Sequence, residues 1–141
     1  MSKPTHKADG TFKKRRFGKY NAKGQRIDGV WFASAAEATR YGQLLRMLDN
    51  RQIIKLELQP TYSITVDGMP ICNYRADFRY QKLSSAGTIG VVIVEDVKGM
   101  RTDVYAIKKK LFEAKFKMPL YEIPSSKIDK YEGLTADASL N

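Results

Sequence analysis

The last third of the chain holds a strand, a helix and a second strand in direct succession, and this unit limits the fold more than any other feature. Residues 90–97 include a run of aliphatic side chains, which is typical of a buried strand. Residues 102–117 place apolar side chains at helical spacing, and residues 119–123 form one last short strand-like segment. Two strands joined by a helix predict a parallel pair with a right-handed crossover.

The segments before this unit predict one helix and three tightly linked strands. Apolar residues recur at three- to four-residue spacing over 34–50, where Ser34 and Glu37 have the spacing of a capping box. Alternating residues predict three strands, over 53–59, 61–66 and 71–80. The expected fold class is therefore α/β (α+β), with a mixed central sheet flanked by helices in the order α-β-β-β-β-α-β.

Most of the positive charge lies at the start of the chain. The formal net charge is +10, and residues 1–26 alone carry +8 of it. We expect residues 1–26 to be a flexible basic arm, 27–124 to be the folded domain and 125–141 to be a mobile tail. The arm is either a solvated tail or an element that neutralises nucleic-acid phosphates. Its candidate phosphate contacts are Lys13, Lys14, Arg15, Arg16 and Lys19.

The composition argues against several classes of protein. Hydrophobic residues make up 43% of the chain, enough for a globular core. No run approaches the roughly 18 apolar residues that a membrane span needs, so we expect no membrane partner. The single cysteine, Cys72, suits a reducing cytoplasmic setting. Since His6 is the only histidine, a zinc finger lacks ligands, and carboxylates would have to hold any catalytic metal.

In the stretch VVIVEDVKGM, residues 91–100, charged residues follow directly after an apolar run. Because side chains alternate along a strand, Asp96 and Lys98 should share one face and Glu95 should point to the other. A carboxylate can hold Mg²⁺, and a nearby lysine can orient a water or stabilise charge on a phosphate. A simple salt bridge at the end of a strand is the alternative interpretation of Asp96 and Lys98.

Asp77 supplies a second carboxylate in the strand that should pair beside 90–97. It lies between Ala76 and Phe78, where no turn or helix cap is expected. An ion pair with Arg75 or Arg79 is its structural alternative. Two carboxylates held close together would repel each other unless a cation lay between them, so the pattern favours a divalent-metal site.

These residues resemble the PD-(D/E)xK nuclease superfamily and, more narrowly, a family of small phage and prophage proteins assigned to it. The narrower resemblance covers roughly residues 19–117. It is carried by the segments YNAK, DGVWFASAAEATRY, LELQP, YRADFRY, VEDVKG and IKKKLFEAKF. Ala76 stands where the superfamily motif has a proline, a position where that proline is often replaced. The resemblance implies a restriction-endonuclease-like core.

The resemblance also implies roles for individual residues. Asp77 matches the first acid of the motif, Asp96 its second acid and Lys98 its lysine. Glu37 matches a helix acid that supports the metal or positions water, although the capping box is its rival role. The main-chain carbonyl of Val97 would join the metal ligands.

Three basic residues near these positions are further candidates for binding nucleic acid. Arg101 follows the acidic strand, and Lys108 and Lys109 lie in the helix after it. They would contact phosphates near the scissile bond. A solvated helix face is the alternative for the two lysines.

By resemblance, the expected activity is that of an endonuclease dependent on Mg²⁺, or alternatively Mn²⁺, which hydrolyses phosphodiester bonds of DNA in a bacterial host's cytoplasm. Analogy with small junction resolvases extends this to structure-selective cleavage of branched DNA, such as Holliday junctions in DNA recombination, by a homodimer. Two alternatives stay open. One is a non-catalytic nucleic-acid-binding protein on the same fold. The other is a nuclease that acts on RNA or as an accessory in packaging or recombination.

Overall fold

A computed structural model of the chain describes residues 24–140, which form eight strands, two α-helices and one 3₁₀ helix. The elements within that range are β1 (Gln25–Ile27), β2 (Val30–Phe32), α1 (Ala35–Asp49), β3 (Ile53–Leu58), β4 (Thr61–Val66), β5 (Met69–Arg75), β6 (Phe78–Leu83), β7 (Ile89–Lys98), α2 (Asp103–Phe116), β8 (Tyr121–Pro124) and the 3₁₀ helix Ser125–Tyr131. The predicted arm contacts Lys13, Lys14, Arg15, Arg16 and Lys19 lie outside the described residues.

The main sheet has four strands in the order β3-β6-β7-β8. β6 is antiparallel to both β3 and β7, whereas β8 is parallel to β7. Helix α2 makes the connection between the two parallel strands, which confirms the strand–helix–strand prediction. The molecule is thus an α+β protein with a mixed sheet, as the sequence predicts.

The strand predicted over residues 71–80 is wrong, because the chain breaks into β5 and β6 between Arg75 and Phe78. Among residues 24–140, β5 pairs only with β4 in a separate two-stranded sheet, while β6 belongs to the main sheet. At the break, the main chain donates hydrogen bonds to two segments that are distant in the sequence. The amide of Ala76 donates to the carbonyl of Pro60 at 3.0 Å, and the amide of Asp77 donates to the carbonyl of Glu95 at 3.2 Å.

Two apolar clusters cover the two faces of β7. Ile93 and Val97 pack with α1 residues such as Leu44 on one face. Val94 packs with Tyr105 and other residues of α2 on the opposite face. This alternation along β7 decides which polar side chain meets which helix.

The C-terminal segment differs from the mobile tail expected over 125–141. Ile128 and Tyr131 of the 3₁₀ helix are buried in the α1 cluster, as is Ala136. The side chain of Arg40 donates to the carbonyls of Tyr131 at 3.1 Å and Leu134 at 2.9 Å. The segment packs on α1 through Ile128 and Tyr131, which are three residues apart, and through these two hydrogen bonds.

Candidate active site at the end of strand β7

The polar residues at the end of β7 meet the start of β6. Phe78, the first residue of β6, lies opposite Glu95, so Asp77 enters the sheet beside Asp96. Asp96 faces the α2 side of the sheet with Val94, and Lys98 follows it two residues later on the same side. The structure therefore brings Asp77, Asp96 and Lys98 together.

Main-chain hydrogen bonds interlock the two aspartates. The amide of Asp77 donates to Oδ1 of Asp96 at 2.8 Å. In return, the amide of Val97 donates to Oδ2 of Asp77 at 2.8 Å. Each carboxylate thus accepts a hydrogen bond from a main-chain amide next to the other aspartate or belonging to it, which restrains both side chains.

Burial makes this carboxylate pair costly to ionise. Asp96 is only 1% exposed, and burial raises its pKa, although Lys98 and the Asp77 amide act in the opposite direction. Burial, followed by repulsion from Glu37, raises the pKa of Asp77 to about 7. A nearby cation would favour ionisation of both side chains.

Lys98 lies beside Asp96 but leaves that carboxylate incompletely satisfied. Its Nζ is 3.5 Å from Oδ2 of Asp96, so the two form a loose ion pair. Oδ2 is buried and has no hydrogen-bond partner among residues 24–140. The ammonium also lies 4.1 Å from the centroid of the Tyr105 ring, a cation–π contact that holds it at the end of the strand.

Glu37 has a structural role and also influences the aspartates. Ser34 is the N-cap of α1, and its hydroxyl accepts from the amide of Glu37 at 3.2 Å and donates to Oε1 of Glu37 at 3.2 Å. The amide of Ala33 donates to the other carboxylate oxygen at 3.2 Å. The Ser34 half of the predicted capping box is therefore confirmed, whereas the returning bond from Glu37 reaches the amide of Ala33 instead of that of Ser34. The negative charge of Glu37 still contributes to the raised pKa of both Asp77 and Asp96.

Glu95 points away from the aspartates, as its odd position in the strand predicts. Its carboxylate accepts from Nε of Arg40 at 2.7 Å and from the hydroxyl of Tyr80 at 2.6 Å. Arg40 and Glu95 are both fully buried. This ion pair anchors α1 to the sheet and leaves Glu95 no free oxygen to offer a metal.

The fit of a divalent cation rests on the aspartate pair. Within the described residues, no group of three or more His, Cys, Asp or Glu side chains is already arranged to hold a metal. Asp77 and Asp96 nevertheless supply hard oxygen ligands, and Oδ2 of Asp96, which accepts no hydrogen bond from residues 24–140, is the kind of atom that Mg²⁺ binds. Both oxygens of Glu37 bond within the helix cap, so Glu37 would have to leave it to become a ligand.

Glu122 is a polar residue of this region that the sequence patterns did not single out. It is the register partner of Asp96 in β8. Its Oε1 lies 3.3 Å from Nε of Arg101 and 3.5 Å from Nζ of Lys109. The sequence does predict that some residue of the strand parallel to β7 lies beside Asp96. The identity of that residue depends on the register, which sequence spacing does not fix.

The three predicted basic residues around the site separate into two groups. Glu122 holds Arg101 and Lys109 at the end of β7 and β8. Lys108 lies elsewhere, because its Nζ donates to the carbonyl of Asn73 in β5 at 3.1 Å. The structure therefore does not bring Lys108 together with the aspartates.

Comparison with known proteins adds a family but no function. The structure defines the protein as a mixed-sheet α+β domain in which two interlocked aspartates lie beside a lysine. The chain belongs to the family described as protein of unknown function (DUF1064), which matches residues 17–133. No curated protein and no solved structure matches the chain significantly. In the described part of the chain, no helix is long and apolar enough to span a membrane.

Proposed function

We propose that this protein is a metal-dependent DNA endonuclease of the PD-(D/E)xK type, which hydrolyses phosphodiester bonds. The observation that carries the proposal is the buried pair of Asp77 and Asp96, interlocked across β6 and β7 with Lys98 beside them. Burying two neighbouring carboxylates costs free energy that an ordinary structural position would avoid. Perturbed acids of this kind concentrate at functional sites.

The topology supports the same proposal. Without the β4–β5 hairpin, the main elements follow the order α1-β3-β6-β7-α2-β8, which is compatible with a restriction-endonuclease-like α-β-β-β-α-β core. The hairpin then counts as an insertion between the first two strands of the sheet. The aspartates lie at the carboxyl end of β7, where open α/β sheets usually bind ligands.

Asp77 and Asp96 would hold the cation, with the main-chain carbonyl of Val97 as the third ligand. Mg²⁺ suits these oxygen ligands, and Mn²⁺ is the alternative. When bound, such an ion would offset the carboxylate charge and act as a Lewis acid toward the phosphate.

The remaining polar side chains would bind and orient the substrate. Lys98 lies beside Asp96 and can hold a water or contact the oxygen on which charge develops. Arg101 and Lys109 pair with Glu122, the register partner of Asp96, and would flank a phosphate at the end of the strand. The strongly basic residues 1–26 would add sequence-independent affinity that falls with salt.

The proposed substrate is DNA with a branched structure, such as a Holliday junction, cut by a homodimer in the host cytoplasm. This preference for branched DNA rests on analogy with small junction resolvases of the PD-(D/E)xK superfamily. If the protein binds DNA tightly but cuts no substrate, the non-catalytic nucleic-acid-binding alternative replaces this proposal.

A cleavage panel tests the proposal. Purified protein is incubated with supercoiled, linear, single-stranded and four-way-junction DNA, and with single-stranded RNA, in Mg²⁺ or in EDTA. We expect cleavage of branched DNA that requires the metal. Cleavage in EDTA would contradict the metal-dependent mechanism. Preferential cleavage of the RNA would favour the RNA-directed alternative.

A further inference from the structure

Trp31 is a large apolar side chain that the fold leaves open to solvent. It is the only tryptophan of the chain and is 53% exposed, although its neighbour Phe32 is buried in the α1 cluster. The ring lies against Gly24, where any added Cβ would collide with it. The indole therefore occupies a defined position on the β1–β2 ribbon instead of packing into the core.

Hydrogen bonds connect this ribbon to the candidate active site. The carbonyl of Trp31 accepts from Nε2 of Gln59 at 2.7 Å, and the amide of Gln59 donates to the carbonyl of Asp77 at 2.8 Å. Two residues after Trp31, the amide of Ala33 donates to the carboxylate of Glu37 at 3.2 Å. Through Gln59, the main chain of Trp31 is thus two hydrogen bonds from the main chain of Asp77, so the ribbon lies next to the candidate site.

A cationic side chain shares the exposed face of the ribbon with the ring. Arg26 is the register partner of Trp31 in the antiparallel ribbon, so both side chains are on the same exposed face. The guanidinium donates to the carbonyl of Gly29 at 2.9 Å, which restrains it. An aromatic face beside a positive charge complements a nucleotide, because the ring can stack on the base while the cation meets the phosphate.

We propose that Trp31 is a stacking site for an unpaired base next to the phosphate bound at the aspartates. The inference rests on the proposed function for the location of that phosphate. A base inside a duplex has both faces covered by its neighbours, whereas an unpaired base can offer a free face. Trp31 would thereby select DNA with unpaired bases, in single strands or at branch points, over a regular duplex.

The tryptophan itself reports the interaction, since its fluorescence has no other tryptophan contribution. The protein is titrated in EDTA with a single-stranded oligonucleotide and with a blunt duplex of equal length, while anisotropy of a label on the DNA measures binding. We expect strong quenching by the single strand and weak quenching by the duplex. Trp31→Ala should weaken single-strand binding about 5- to 150-fold, the range typical of one stacked base.

Two variants separate stacking from other effects. Trp31→Phe keeps an aromatic face and should retain much of the affinity for the single strand. Met69→Ala removes another exposed apolar side chain, at the far end of the β4–β5 hairpin, and should change nothing. Unchanged fluorescence at saturating single strand, or equal losses for single strand and duplex in Trp31→Ala, would overturn the stacking site.

Parallel cleavage assays in Mg²⁺ separate this inference from the proposed function. Quenching without cleavage would support the base-stacking site and contradict the nuclease. Cleavage without quenching would support the nuclease and overturn the role of Trp31.

Discussion

Replacing Asp77 with asparagine is expected to stabilise the protein at neutral and alkaline pH. Burial and the charge of Glu37 raise the pKa of Asp77 from its ordinary value of 3.8 to about 7. The folded protein therefore keeps a proton that the unfolded chain releases. This contribution to stability is fully present below the ordinary pKa and is lost as the pH rises through about 7.

The size of the effect follows from the same shift. A difference of about three pKa units corresponds to about 4 kcal/mol, which is the most that removal of the charge can add. Asparagine keeps an oxygen that can accept from the amide of Val97, so the hydrogen bond need not be lost. We expect Asp77→Asn to raise the free energy of unfolding by about 2–4 kcal/mol at about pH 8, and to change it little at about pH 4.

Urea unfolding followed by circular dichroism at both pH values measures this difference. Asp137→Asn is the matched control. Burial acts to raise the pKa of Asp137, but the hydroxyl of Thr135 and the ammonium of Lys82 outweigh it and lower that pKa. That carboxylate stabilises the fold above its ordinary pKa, so the control variant should lose stability at about pH 8. An Asp77→Asn variant less stable than wild type at about pH 8, or a difference independent of pH, would refute the electrostatic account of Asp77.

Three further predictions concern the same region. Mg²⁺ should raise the free energy of unfolding of the wild type but not of Asp77→Asn, because a ligand stabilises only the form that binds it. Urea unfolding with and without the ion measures this difference. Equal stabilisation of both proteins would contradict the proposed metal site. Glu122→Gln should remove the carboxylate charge that pairs with Arg101 and Lys109, and so strengthen DNA binding. The salt dependence of binding, measured by anisotropy titrations, should become steeper. An unchanged salt dependence would show that neither cation contacts a phosphate. Glu95→Ala should lower the free energy of unfolding by about 3–5 kcal/mol, since it leaves Arg40 buried without its carboxylate; a loss below about 1 kcal/mol would contradict the importance of that pair.

The sequence predicts where the β7 side chains of the candidate site point, because the signals for this placement are local. Alternation along β7 separates Asp96 from Glu95, and the structure places Glu95 against Arg40 on the other face. The helix between β7 and β8 determines that these strands are parallel. Ser34 caps α1 through the amide of Glu37 as predicted, since that bond depends only on neighbouring residues.

The features that the sequence does not predict depend on contacts between distant segments. Neither glycine nor proline marks the break before Asp77, which exists because Pro60 and Glu95 accept hydrogen bonds there. Arg40 lies within a polar stretch of α1, yet it is buried because Glu95, 55 residues later, and the C-terminal carbonyls satisfy its donors. Glu122 reaches Asp96 only through the register of β8.

The most direct test of the proposed nuclease is the initial rate at which Asp96→Asn cuts DNA in Mg²⁺, compared with Asp67→Asn. Both variants remove one negative charge, but Asp67 lies in the turn between β4 and β5, at the opposite end of this hairpin from Asp77. Circular dichroism verifies that both are folded. We predict that Asp96→Asn cuts at least about 100-fold more slowly than wild type, and that Asp67→Asn cuts at the wild-type rate. Wild-type cleavage by Asp96→Asn would contradict the assignment of this carboxylate to the active site.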